Sequence, residues 1–414
     1  MFSIPTAFTF LSRFKIQILW IVAISLIAYF LYFSVEHAFN RSNGFASYYT
    51  ASLLLIEGEN PANYYNDEYF SSKVEKYVPG VYEIYLVNLP TTTLLVLPFS
   101  VFDHKTARTL WLTFNLLLLI VSIIFIIRRN KFYNSWLPFV LILFFSFQPL
   151  YANIIAAQAY ILIFCCLVGI FYGYVKGKQK LAGVITGLIL ILKSAGTYLL
   201  LLFVIQKRWK CLLWFFISIV SIFVLTLPFF GLDSWIDYSN KLINYSSSPT
   251  LSVTAYQSIF SFFHHLFIYN KEWNPNPILD MPIVGKSLTI IFSLFVLLFT
   301  VINTIKYRKS DIAFGSFIIV GLMLNPASID YHYLMILVPV FILLDWIRKN
   351  QSGLLWLLFI LSFFLIALNI PYVSSKVSGR FLALFAYPKL YGALGLWILS
   401  LVASGYSKSA SLEK

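Results

Sequence analysis

Apolar runs of about 17 to 25 residues, long enough to cross the hydrocarbon layer of a bilayer, recur along the whole chain, separated by short basic turns. The first extends from Ile16 to Phe33 and a second from Arg108 to Ile127. Others lie at 134–149, 157–175, 211–229, 285–304, 312–326, 333–347, 353–371 and 386–404. In lipid every backbone polar group must be satisfied internally, which leaves helices as the structure for such runs. The pattern predicts an all-α polytopic membrane protein, one integrated domain over 1–414, with about ten to twelve transmembrane helices counting half-helices.

The basic turns test that count. They are "RFK" (13–15), "RRNK" (128–131), "KGKQK" (176–180), "QKRWK" (206–210), "KYRK" (306–309), "RK" (348–349) and the tail from Lys408. If all face the cytoplasm, neighbouring turns must be separated by an even number of crossings. Between Arg13 and Arg128 this leaves the run 91–102 as a re-entrant or interfacial segment, too short to cross. Residues 181–205 are too few for two full crossings at about 1.5 Å per residue. They can go in and out only as two half-helices broken around "KSAG" (193–196). The result is a multi-pass plasma (inner) membrane protein with both termini cytoplasmic. Two long non-cytoplasmic loops, 34–90 and 230–284, are rich in Tyr, Trp, Asn and Pro. Short interfacial helices are expected there, for example Ser47 to Glu57.

Composition agrees. Sixty per cent of residues are hydrophobic and 11% charged, against roughly 25% charged in a soluble domain. The net charge of +14 would suggest nucleic acid in a soluble protein. Here it sits in the orienting turns, so no nucleic-acid partner is implied. Cys165, Cys166 and Cys211 lie in apolar runs without His partners, which argues for neither a disulfide framework nor a metal site. The first run lacks a following small-x-small cleavage site and reads as a span.

Once the turns are placed, nearly every unusual polar residue falls on the non-cytoplasmic side. Lys193 interrupts "LILILKSAGTYLLLL"; an intramembrane lysine is costly and faces a cavity or a partner. It suits an anionic lipid phosphate at a helix break, the alternative being a snorkelling or internally paired lysine. Glu83 lies at the lip of the segment 91–102 and is a candidate general base for an acceptor hydroxyl; alternatively it is a loop carboxylate paired with Lys73 or Lys76. Asp67, in "NYYNDEYF", is its rival. Tyr48, Tyr49, Asn88, Gln158, Gln257 and Asp330 are candidate substrate contacts, and His332 is a candidate aid to Lys193. Asp103/His104 and Asp345/Arg348 read as structural, and no P-loop, GxSxG or HExxH pattern occurs.

The ordered set "GFASYYTASLLLIEGENPANYYNDEYF", "YEIYLVNLPTTTLLVLPF", "ARTLWLTFN", "AAQAYILIF", "GVITGLILILKSAGTYLLLLFVIQKRW", "YQSIFSFF" and "NPASIDYHY" resembles glycosyltransferase family 87 (DUF2029), covering about residues 44–335. These are polyprenyl-phosphate-mannose-dependent mannosyltransferases of the GT-C superfamily. The resemblance implies a GT-C-like bundle and inverting transfer of mannose or a similar hexose. The sugar would pass from a polyprenyl-phosphate donor to an envelope glycolipid or glycan, on the non-cytoplasmic side, with no metal or cofactor. Many relatives carry an Asp base where this chain has Gly44; a subgroup pattern places the acid at Glu83 instead. Lys193 and His332 would then hold the donor phosphate. A lipid-linked-sugar flippase or transporter, or a catalytically inactive homologue, is the alternative.

Overall fold

A computed structural model describes residues 4–40, 43–307, 311–350, 352–373 and 379–412. Among these the chain is helical, with one isolated bridge between Asn270 and Asn274. Five helices have the length and apolarity to cross a membrane: Ile16–Ala38, His104–Asn130, Trp209–Ser246, Pro282–Lys306 and Asp330–Asn350. Trp136–Phe145 and Gln148–Ala156 together make a sixth candidate, bent by 46°. Pro149 in the first turn of the second half suits a helix start there, where its missing N–H is not needed. The other expected crossings are occupied by the shorter apolar helices Tyr160–Val175, Ile312–Leu324 and Gly353–Ala367, and by Pro388–Leu412. Exposed side chains such as Ile21, Leu225 and Ile283 give the outer helices apolar surfaces. The chain is a polytopic, membrane-embedded, all-helical protein.

The segment between the basic turns at 180 and 206 forms two half-helices, Gln179–Lys193 and Tyr198–Ile205. Ser194, at a left-handed φ of 49°, ends the first half. That half lies unusually close to Trp209–Ser246. A Cβ on Gly183 would come within 2.2 Å of the Cys211 carbonyl, and one on Gly187 within 2.8 Å of the Phe215 carbonyl. Glycines four apart let two backbones approach, as small residues do in membrane interfaces. Trp209–Ser246 is itself kinked at Gly231 (φ 67°, ψ 165°), three residues after Pro228, where the apolar run was expected to end.

Several of the basic turns contact neighbouring turns of the chain. Arg129 pairs with Asp311 at 3.4 Å. Arg208 Nη1 donates to the Tyr174 carbonyl at 2.7 Å, and Arg348 donates to the Asn130 carbonyl. Parts of both long loops, within 43–48, 83–89 and 242–256, border a cavity together with the helix break at Lys193.

Candidate functional site

The segments around this cavity are tied together by side chains that lie outside its lining. Arg108, fully buried, donates to the carbonyls of Asn40, Ile154 (3.2 Å) and Ile155 (2.9 Å). Trp111 Nε1 donates to the Ala157 carbonyl at 2.9 Å. These bonds satisfy carbonyls that a helix end leaves open and fix the turn after Gln148–Ala156, which carries Gln158 into the cavity wall. Asn153 Nδ2 bonds the Tyr331 carbonyl at 3.0 Å and holds the segment bearing His332 against the same turn.

The cavity has a volume of about 380 Å³. Six of the ten residues singled out from sequence line it: Glu83, Lys193, Tyr48, Asn88, Gln158 and His332. Lys193 Nζ donates to Asn88 Oδ1 at 2.6 Å and lies 4.7 Å from the centre of the Tyr48 ring. The Tyr48 hydroxyl donates to Gln158 Oε1. His332 Nδ1 accepts the Ile329 N–H at 3.1 Å, and its ring packs edge-on against Tyr160 with centres 4.3 Å apart. With Nδ1 an acceptor, the neutral ring carries its proton on Nε2. Glu83 Oε1 accepts the Ile84 N–H at 3.3 Å. Burial pushes the Glu83 carboxyl up to about 7, against the opposing pull of the Ile84 N–H and the Lys193 charge. It is not a surface carboxylate neutralised by its neighbours: Lys73 pairs with Glu59 at 2.8 Å, and Lys76 bonds Tyr77 at 3.0 Å.

Four candidates do not line the cavity. Asp67 pairs with Lys241 at 2.6 Å, away from the cavity lining. Tyr49 donates to the Phe102 carbonyl at 2.9 Å and packs on His104. Gln257 is buried with its amide spent on the Thr254 and Ala386 carbonyls (2.7 and 2.8 Å) and the Lys389 N–H (3.2 Å). Asp330 pairs with the fully buried Lys389 at 2.9 Å and accepts from Tyr372 at 2.7 Å. These last two, expected as substrate contacts, are engaged by other parts of the chain and lie outside the cavity lining. Lys389 was missed, although a lysine beginning the apolar run "PKLYGALGLWILSL" carries the same signal as Lys193. Tyr160, Tyr245, Tyr256 and Tyr331 also line the cavity. Tyr160, Tyr256 and Tyr331 fall within the stretches quoted for the family resemblance, but in a chain with 27 tyrosines none was singled out.

A second cavity, about 330 Å³, shares Tyr160, Lys193, Ser194, Asn325 and Pro326 with the first. Its remaining walls are mainly apolar, including Leu199, Phe317, Ile318, Leu322 and Met335. The broken helix thus sets one cation between the cavity that holds Glu83 and a second one walled largely by apolar side chains.

Gly44 also borders the first cavity. A Cβ there would come within 2.3 Å of Gln158 Nε2 and 2.7 Å of the Ala156 carbonyl. The second contact is backbone and cannot swing away. Gly44→Asp is therefore expected to lower the melting temperature in detergent, at an overpacking penalty of roughly 1–3 kcal/mol. It is also expected not to restore transfer to a Glu83→Gln protein. Recovery of transfer in the double variant would show that the acid can act from position 44.

The site joins a half-buried carboxylate, a cation at a helix break and an apolar chamber within a membrane bundle. This arrangement fits a membrane enzyme. The family model for glycosyltransferase family 87 matches residues 87–329, more than half of the chain, and the protein belongs to that family. No curated protein and no solved structure matches significantly. The protein is a membrane glycosyltransferase.

Proposed function

We propose that the enzyme transfers a hexosyl group, mannose or similar, from a polyprenyl-phosphate donor to a hydroxyl of an envelope glycolipid or glycan, on the non-cytoplasmic side, with inversion. The observation that carries this reading is that Glu83 and Lys193 face one cavity while Lys193 also borders the apolar chamber. The prenyl chain would lie in the apolar chamber and its phosphate at Lys193, with His332 alongside. The sugar would project into the polar cavity. The ionised Glu83 carboxylate takes the proton of the acceptor hydroxyl. The acceptor oxygen bonds to the anomeric carbon from the face opposite the phosphate, and the anomeric C–O bond breaks with its electron pair going to the phosphate. Lys193 stabilises the charge that develops on that leaving group. Attack from the opposite face gives inversion.

Purified protein incubated with radiolabelled polyprenyl-phosphate hexoses and envelope glycolipid acceptors is expected to form a labelled glycolipid. The broken half-helix pair would also suit a transporter. Movement of the sugar across a proteoliposome without bond formation would replace the enzyme reading with that one.

A further inference from the structure

The run "NLPTTT" (88–93) has three consecutive threonines, all fully buried, beside an apolar segment. Their role follows from the end of the half-helix Gln179–Lys193. The last carbonyls of a helix have no partner within it, and here each must be met inside the protein. The Ala195 and Ser194 N–H groups meet Ile189 and Leu190, at 3.4 and 2.8 Å. The next two carbonyls, Ile191 and Leu192, accept from the hydroxyls of Thr91 and Thr92, the latter at 2.7 Å. The following residue is Lys193, whose ammonium reaches Asn88 in the same short run.

Asn88 is itself fixed. Its Nδ2 donates to the Tyr85 carbonyl at 2.8 Å, which turns Oδ1 toward Lys193, and its own carbonyl accepts the Tyr65 hydroxyl at 2.8 Å. Tyr85 is anchored to Thr93 at 2.9 Å. The Asn88 amide thus has a protein partner on both its nitrogen and its oxygen. An unheld lysine on a four-carbon stem would sample many rotamers, and the Asn88 bond removes most of them.

We infer that Asn88, Thr91 and Thr92 form a clamp that caps the broken helix and aims Lys193 between the two cavities, with Asn88 a positioning residue rather than a substrate contact. This rests on the reading of Lys193 as the phosphate-binding cation. The test is a double-mutant cycle on the full chain in detergent, with farnesyl phosphate as the binding probe. Asn88→Ala and Lys193→Ala are each expected to weaken binding by roughly tenfold or more, the range of one lost charge-assisted hydrogen bond. In the Lys193→Ala background, Asn88→Ala is expected to change nothing further, since its effect runs through the lysine. Thr91→Val with Thr92→Val should weaken the probe similarly, and the paired serine substitutions, which keep the hydroxyls, should restore it.

Wild-type binding by Asn88→Ala, alongside weakened Lys193→Ala, overturns the clamp alone. So does an additive loss in the double variant, which is the signature of a substrate contact or of general destabilisation. Unchanged binding by Lys193→Ala overturns the phosphate reading and the clamp with it.

Discussion

Glu83→Gln is expected to leave a folded protein whose transfer rate falls by about 10²- to 10⁴-fold, the range for loss of a positioned general base. Glutamine keeps the size and the acceptor oxygen that meets the Ile84 N–H, but it has no basic lone pair for the acceptor proton. Loss of activity through misfolding is disfavoured by the sign of the linkage. The Glu83 carboxyl is raised to about 7 in the folded chain by burial. Such a group contributes stability that is fully present below its unfolded value and is lost as pH rises through about 7. An amide, neutral at every pH, removes that loss, so the variant should be no less stable than wild type at pH 8. Wild-type transfer should rise with pH through about 7 as the base ionises. The residual rate of Glu83→Gln should lack that rise. Near-normal turnover by the glutamine variant would remove Glu83 as the base.

What the sequence made legible was what depends on local chemistry and on chain length. The parity of the basic turns forced the half-helices around Lys193 and kept residues 91–102 from crossing. Both follow from charge placement and chain length, which need no tertiary information. Glu83 and Lys193 stood out because a charged group in an apolar setting is costly wherever it lands. The partners of the remaining polar residues were hidden, because they come from far along the chain. Asp67 meets Lys241, and Gln257 and Asp330 are engaged around Lys389. A loop carboxylate or amide looks equally available in sequence whether or not such a partner exists. The same limit applies to Gly44, whose lack of a side chain is explained by Gln158 and the Ala156 carbonyl packed against it. The threonines at 91–93 were read within an interfacial segment. Their use as caps for a helix a hundred residues later became visible only when the two segments were side by side.

Lys193→Ala is expected to weaken the lipid-phosphate donor far more than the acceptor. Among the described residues Lys193 has one hydrogen-bonding partner, Asn88, and also lies over the Tyr48 ring. It forms no ion pair among the described residues, so its charge is not already neutralised by a carboxylate at contact distance. That leaves the cation available to an anion at the boundary of the two chambers. A hydrogen bond to a charged group contributes roughly 1.5–3 kcal/mol. The Kd for the donor should therefore rise about 10- to 100-fold, while the acceptor KM changes little. The rate at saturating donor should fall as well, because charge on the phosphate grows as the sugar leaves and the lysine is matched to that later state. Lys193→Arg keeps the charge but replaces a compact ammonium with a wider planar fork. It is expected to recover donor binding in part and turnover less. The measurements are donor binding by titration and steady-state transfer with each substrate varied in turn. Unchanged donor affinity in Lys193→Ala would instead mean that the lysine serves only to close the helix break, and the phosphate site would have to be sought elsewhere in the cavity.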